Sequence, residues 1–401
     1  MDLDALYREH APAITAALVK RFGPARLDLV EAAVQESFVA AIEQWQTVIP
    51  ERPAAWLTTV ARRRVIDSLR RAAWFAPGDA IEDAPATASD SFGDEDLLNM
   101  MLVCCHPALP IEGALALALR TLCGFPIAAL ARALLADPGA VEKRLARARQ
   151  TLRDEQVELE PGAEAATRVD AVLRTLYVMF LEGYSAHAGP AQIDVDLCAT
   201  AIRLSALLLR GFAEPTVHAL HALLLLQASR LAARVDDRGE IVPLHAQDRG
   251  RWDRAMIERG LVHLGEASRG DTISPYHLEA AIAACHALAP TYEATDWHQI
   301  VALYDKLLAI QPSPVVALQR AIALGRAAGP KQGLRALDAI RSDERLEDSA
   351  VLAAAAADLK RQLGDTSGAR AAYRRALELA GTEPEKRFLE ARLAELTPPR
   401  R

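Results

Sequence analysis

Apolar residues in this chain recur at intervals of three and four, in segments dominated by Ala, Leu, Arg and Glu. That spacing places one apolar stripe on each 3.6-residue helical turn, whereas the strict alternation and β-branched or aromatic enrichment of strands is scarce. An all-α fold follows. Aromatic residues make up only 5% of the 401 positions, so helix must approach helix largely through alanine. The length exceeds what a single core usually serves, which predicts roughly two or three domains. With 46 Lys and Arg against 53 Asp and Glu the formal net charge is -7. This excludes a uniformly basic nucleic-acid coat but not local basic patches, because an average hides asymmetry between segments.

The cysteines are Cys104, Cys105, Cys123, Cys198 and Cys285, an odd set without paired spacing. Neither a disulfide framework nor a zinc clip can be read from them. Adjacent cysteines on a helix point about 100° apart, so Cys104 and Cys105 ahead of His106-Pro107 read as packing residues, and no metal is expected. His218, His221 and His286 read as core or hydrogen-bonded residues. No glycine-rich phosphate loop, HExxH or nucleophile elbow occurs, so no catalytic residue, no cofactor and no enzymatic activity are expected. The opening MDLDALYREH has no basic leader ahead of an apolar run, and the longest apolar stretch, around Leu220 to Leu226, is far shorter than the ~20 residues that span a bilayer. The expectation is a cytoplasmic protein without a membrane partner.

Residues 1–75 carry several helical segments. From Ala76 to Asn99 the character changes: Pro77, Gly78, Pro85 and Gly93 break helices, and seven carboxylates stand without a Lys or Arg. This predicts a flexible acidic linker over 76–100. A helical unit over 101–155 follows, then Pro161-Gly162, a helical domain over 161–290 and a weak repeat over 291–401. Tyr304, Leu337 and Tyr373 occupy matching places in that repeat, at separations of 33 and 36 residues. A period near 34 of helix–turn–helix units is tetratricopeptide-like.

Two basic clusters flank the acidic segment. Between 62 and 71 there are five arginines against one aspartate, on a helix whose apolar stripe includes Trp56, Leu57, Val60, Ala61, Val65, Ile66 and Leu69. Exposed arginines followed by Trp74-Phe75 offer phosphate contacts beside rings on which an unstacked base could lie. The second cluster has a defined geometry. A short helix entered through Pro126 leads to the turn Ala136-Asp137-Pro138-Gly139 and then a basic helix, with Asp137 as N-cap and Pro138 at the first helical position. Val141, Leu145, Ala148 and Leu152, at i, i+4, i+7 and i+11, hold this helix down. Lys143, Arg144 and Arg147 are left to reach phosphates and base edges in a major groove, as in a helix-turn-helix.

Asp28-Leu-Val-Glu-Ala-Ala-Val-Gln-Glu-Ser-Phe38, Pro53-Ala-Ala-Trp-Leu-Thr-Thr-Val-Ala-Arg62 and Ile66-Asp-Ser-Leu-Arg-Arg71 resemble region 2 of bacterial sigma-70 family factors of the extracytoplasmic-function type. The helix-turn-helix ending Lys143-Arg-Leu-Ala-Arg-Ala-Arg149 is similar to their region 4. Cys104-Cys-His-Pro-Ala-Leu109, Glu182-Gly-Tyr184 and Pro275-Tyr-x-Leu-Glu-Ala-Ala-Ile-Ala-Ala-Cys-His-Ala287 look like the subgroup with a long C-terminal tetratricopeptide-like extension. Two positions depart from the pattern: Arg63-Arg64 stand where relatives carry an Asn after Ala-Arg, and Leu181 stands where they carry Asn in Phe-Asn-Glu-Gly-Tyr.

The resemblance implies an alternative sigma factor built of a region 2 bundle, an acidic linker threading toward the RNA exit path, region 4 and an extension. Asp28, Glu31, Gln35 and Glu36 would contact the β′ clamp of core RNA polymerase, which is expected to engage the chain through its β′ and β subunits. Trp56, Arg62, Arg63, Arg64, Arg70 and Arg71 would hold the promoter −10 element, and Lys143, Arg144, Arg147 and Arg149 would read the −35 element. The extension is expected to pack on these modules and regulate them in cis, with a regulatory protein or ligand as its partner. The alternative is a helix-turn-helix transcriptional regulator carrying a tetratricopeptide-like interaction domain.

Overall fold

A computed structural model describes residues 3–45, 50–75, 94–133, 136–159, 165–184 and 193–396. Among these no strand forms, and the one antiparallel bridge joins Val235 to Ile241. The chain divides into two compact units, residues 1–178 and 179–401.

In the first unit α1 (Leu3–Phe22), α2 (Leu27–Gln44) and α3 (Pro53–Phe75) form a bundle. Ile14 and Val19 of α1, Val30, Val34 and Phe38 of α2, and Leu57, Ala61 and Val65 of α3 fill its centre. Burying one such aliphatic side chain is worth about 1.5–3 kcal/mol, so these three- and four-residue spacings suffice to fix the bundle. Residues 76–93, most of the expected acidic linker, lie outside the described residues. The expectation that the linker runs on to residue 100 is corrected, because α4 (Asp94–Cys104) is already helical there. Carboxylates suit the positive end of a helix, and Asp96, only 8% exposed, is held by Lys20 at 2.7 Å.

Next come α5 (Ile111–Cys123), α6 (Ile127–Ala133) and α7 (Pro138–Asp154), with α5 and α6 both packed on α7. α5 ends at Gly124 with φ +66°, a left-handed cap that glycine adopts without steric cost. A Cβ there would also stand 2.9 Å from the Tyr7 ring.

α8 (Ala165–Tyr184) begins in the first unit and ends in the second. Its first half belongs with the preceding helices rather than with the 161–290 domain expected from sequence. Arg168, 3% exposed, donates to the Leu102 carbonyl, and Thr175 Oγ1 lies 3.8 Å from Cys105 Sγ.

The second unit continues with α9 (Val195–Gly211), α10 (Pro215–Ala228), α11 (Leu231–Arg234), α12 (Arg254–Ala267) and α13 (Pro275–Leu288). α10 is apolar around its circumference and is packed by α9, α12 and α13. At 14 residues and ~1.5 Å per residue it is a core helix, and no described helix is long and apolar enough to cross a membrane. The remainder is α14 (Trp297–Ile310), α15 (Pro314–Ala327), α16 (Pro330–Ile340), α17 (Ala350–Gln362), α18 (Thr366–Leu379) and α19 (Glu383–Glu395).

The repeat is physical. Its first helices begin at Trp297, Pro330 and Thr366, the same offsets that separate Tyr304, Leu337 and Tyr373. Leu303 and Leu307 pack with Leu278 and Ala323, and Tyr304 lies against them. Leu337 packs with Leu318 and Leu359, and Tyr373 with Ala357 and Leu389. α15 and α17 each contribute to two successive cores, the nearest-neighbour stacking of a solenoid.

Candidate nucleic-acid interface

The basic helix α7 is fixed by its own sequence. Asp137 accepts from the Gly139 amide at 2.8 Å and Pro138 opens the helix. Val141, Leu145, Ala148 and Leu152 are each 2% exposed or less. Their burial turns Lys143 and Arg147 fully outward and leaves Arg144 half-exposed. Among the described residues none of these three cations stands within ion-pair distance of a carboxylate. A positively charged helix face held rigidly from behind can bind an anionic duplex.

Arg149 departs from this group. Its Nε lies 2.8 Å from Asp28 Oδ1 and its Nη2 2.6 Å from Glu31 Oε2. Arg153 reaches Asp28 Oδ2 at 2.5 Å, and Thr121 Oγ1 donates to Glu31 Oε1 at 2.7 Å. Two of the three carboxylates expected to face polymerase, Asp28 and Glu31, are thus occupied by side chains of α5 and α7. Gln35 bonds the Tyr7 hydroxyl, whose pKa burial raises. Glu36 accepts from Arg64 at 2.5 Å. These partners lie up to 125 residues apart in sequence, and no local pattern announces them.

On α3, Arg63, Arg70 and Arg71 are exposed, and Arg71 also bonds the Asp67 carbonyl and Ser68 hydroxyl. Arg62 is half-buried with Nη1 lacking a partner among the described residues. Trp56 packs edge-on against buried Trp45, their ring centroids 5.1 Å apart. The side chains of Trp74 and Phe75, expected to offer stacking rings, lie outside the described residues. An arginine-bearing helix and a capped helix-turn-helix therefore occupy one compact unit.

Comparison with known proteins bears on this pair. The model of sigma-70 region 2 matches residues 6–75, which hold α1 to α3. The model of sigma-70 region 4 matches residues 99–152, which hold the helix-turn-helix. The chain belongs to the sigma-70 family. It is an extracytoplasmic-function-like sigma factor for promoter-specific transcription, with a C-terminal helical extension. Within the extension, residues 168–268 match a family of unknown function (DUF6596). An uncharacterized protein of Rhizobium meliloti (strain 1021) is 39% identical over 399 residues, covering 96% of this chain and 93% of its own. That alignment takes in the extension as well as the two sigma regions. No solved structure matches the chain.

The extension of this sigma factor explains its Glu182-Gly183-Tyr184 motif. A Cβ on Gly183 would stand 2.8 Å from the Asp194 carbonyl and 3.0 Å from Cys198 N and Sγ, so only glycine lets the start of α9 approach. Tyr184 is a platform for arginines: Arg234 stacks on its ring with Cζ 3.7 Å from the centroid and also donates to its carbonyl. Arg230 donates to its hydroxyl through Nε at 3.0 Å and Nη2 at 2.5 Å. Arg249 lies over buried Trp252 and donates to the carbonyls of His286 and Ala289. Sequence reasoning missed these arginines because they fall in no charge run.

Of the histidines and cysteines singled out from sequence, His221, Cys104, Cys105 and Cys198 are buried, and His218, His286, Cys123 and Cys285 are half-buried. His221, 6% exposed, bonds Ser205 Oγ at 2.7 Å. Burial and the facing His263, Arg259 and His218 push its pKa down to about 4. Burial, with Arg230 and Arg249 beside it, takes His286 down to about 3. Cys104 and Cys105 are buried, and burial drives both thiols up, Cys105 to about 12.

Proposed function

We infer that this chain is an alternative sigma factor in which α2 docks on core RNA polymerase, α3 holds the −10 element and α7 reads the −35 element. The single observation that carries the reading is α7. It is a capped helix whose outward Lys143, Arg144 and Arg147 have no carboxylate partner among the described residues, in the same compact unit as a second arginine-bearing helix. In this reading Lys143, Arg144 and Arg147 meet the −35 duplex, while Arg63, Arg70 and Arg71, with Trp56 and Arg62 behind them, meet the −10 element. Asp28, Glu31, Gln35 and Glu36 meet the polymerase clamp. The protein supplies recognition and strand opening, and the polymerase performs phosphoryl transfer.

The extension regulates these modules in cis. Support for this comes from α8, whose first half packs on α4 through Arg168 and Thr175, and from the shared cores of the repeats, which build a surface of the kind that takes a protein or ligand. The test is transcription in vitro with core polymerase on a genomic fragment library. Promoter-dependent transcripts that disappear in a Lys143→Ala, Arg144→Ala, Arg147→Ala variant are expected. The absence of any promoter-dependent transcript from the unaltered chain overturns the reading. Truncation before Pro161 should change promoter output, and unchanged output would leave the extension a passive appendage.

A further inference from the structure

The second unit gathers positive charge that nothing around it neutralises. Arg230 and Arg234 stand at the two ends of α11, and Arg249 opens the short turn that leads to Trp252. All three are half-buried. Arg230 and Arg234 share the Tyr184 ring, with Cζ 5.9 Å and 3.7 Å from its centroid, and Arg230 and Arg249 share the Trp252 ring, at 5.9 Å and 4.6 Å. Among the described residues none of the three stands within ion-pair distance of a carboxylate. Glu293 and Glu279, whose fields reach Arg249 and the neighbouring Tyr304, pair with none of them, and Arg254 adds positive field at Arg249. The hydrogen bonds these arginines make go to neutral oxygens: the Tyr184 hydroxyl and carbonyl, the Thr295 hydroxyl and the carbonyls of His286 and Ala289. A guanidinium carries five N–H donors, and Nη1 of Arg230, Nε and Nη2 of Arg234 and Nε of Arg249 keep theirs without a partner among the described residues. Trp252 is only 3% exposed, yet its Nε1–H has no acceptor there, and Nδ1 of His286 has no partner either.

Clustered like charges repel, and a buried donor without an acceptor costs free energy. Both costs have the same remedy, a negatively charged oxygen. We propose that this cluster binds a small molecule bearing a phosphate monoester, with Arg230, Arg234 and Arg249 holding its oxygens and Trp252 Nε1–H donating to one of them. Phosphate fits better than carboxylate. Near neutral pH a phosphate monoester brings close to two negative charges and three acceptor oxygens, against three guanidinium groups and an indole N–H, whereas a carboxylate brings one charge and two oxygens. The planar fork of arginine also pairs phosphate oxygens two at a time. An aromatic wall stands beside the cluster for the organic part of the ligand: the Trp297 ring lies 5.3 Å from that of His286 and 5.3 Å from that of Tyr292. Burial, with Arg230 and Arg249 beside it, keeps His286 neutral down to about 3, so the positive charge of the site belongs to the arginines. These residues lie wholly within the second unit, and the site binds its ligand whether or not the chain drives transcription.

The test is calorimetric titration of the full-length chain with phenyl phosphate and, separately, benzoate at fixed ionic strength, together with the indole N–H spectrum of the 15N-labelled protein. The expected result is saturable binding of phenyl phosphate that is tighter than that of benzoate. One of the five tryptophan indole signals, the one missing from Trp252→Phe, should move downfield as phenyl phosphate is added. Trp252→Phe keeps a ring between the arginines but removes the N–H, and Arg230→Gln removes one cation. Each should weaken phenyl phosphate by at least about tenfold, the scale of a hydrogen bond to a charged group, and shrink the rise in thermal midpoint that the ligand produces. That rise is read against each protein's own unliganded midpoint, so a variant that merely starts less stable does not imitate the effect. The Lys143→Ala, Arg144→Ala, Arg147→Ala variant is titrated alongside, because a cationic helix face can also attract phosphate. Affinity that falls in this variant and stays in Arg230→Gln puts the anion on α7 and overturns the proposal. No saturable binding, benzoate bound as tightly as phenyl phosphate, or no indole signal that responds also overturns it. Should Trp252→Phe fail to fold, Arg230→Gln and the indole spectrum of the unaltered chain decide.

Discussion

Acid should destabilise the unit at residues 179–401 through two imidazoles, and the magnitude follows from their surroundings. His221 and His286 are held neutral down to about 4 and about 3, against an ordinary 6.5. Between those values the unfolded chain binds protons that the folded chain refuses, so stability falls as pH drops. At pH 5 each imidazole is almost fully charged when unfolded and almost fully neutral when folded. Linkage then gives a loss of about 2 kcal/mol from each between pH 7.5 and pH 5. The figure is insensitive to the folded value, since both lie below pH 5. His218, His245, His263 and His277 are also held low by burial and push in the same direction. The assay is urea unfolding followed by the fluorescence of Trp252 and Trp297, repeated at several pH values for the unaltered chain and for His221→Asn plus His286→Asn. The double variant will start less stable, so the slope against pH is the readout: it should flatten by about 4 kcal/mol over that interval. Equal slopes in the two proteins, or a midpoint independent of pH, would refute the assignment of the acid response to these side chains.

Replacing Lys143, Arg144 and Arg147 singly with Ala should weaken −35 duplex binding and lower the slope of log affinity against log salt by ~0.9 for each phosphate contact removed, as measured by anisotropy titrations. Asp137→Ala removes the α7 cap and should cost about 1 kcal/mol in region 4, visible as a lower denaturant midpoint. Gly183→Ala drives a Cβ into the Asp194 carbonyl and should cost about 1–3 kcal/mol, seen in the thermal unfolding of the extension. Tyr184→Phe removes the hydroxyl that accepts two N–H groups of Arg230 while keeping the ring under Arg234. A loss of about 1–2 kcal/mol is expected, and no change would show that Arg230 finds another acceptor.

The helices, the helix-turn-helix and the repeat were legible because each is encoded over a few turns. Asp137-Pro138 and the Val141 to Leu152 stripe specify α7 with no reference to the rest of the chain, and the spacing of Tyr304, Leu337 and Tyr373 is the spacing of the stacked cores. What escaped were pairings across long separations. Arg149 is one more arginine in a basic run until Glu31 is brought beside it. The end of the acidic segment was misjudged because Asp94, Glu95 and Asp96 read alike as linker charge, whereas position in the first turn of α4 and the reach of Lys20 give them a helical role.

The contact that brings α2 to α5 and α7 is made of charged and polar side chains: Asp28, Glu31, Arg149, Arg153 and Thr121. The apolar stripes of α2 and α7 are buried elsewhere, Val30 and Val34 in the bundle of α1 to α3 and Val141 and Leu145 beside α5 and α6. Dissolved ions screen charges over roughly 8 Å at physiological ionic strength, so salt should loosen this contact while leaving both apolar cores in place.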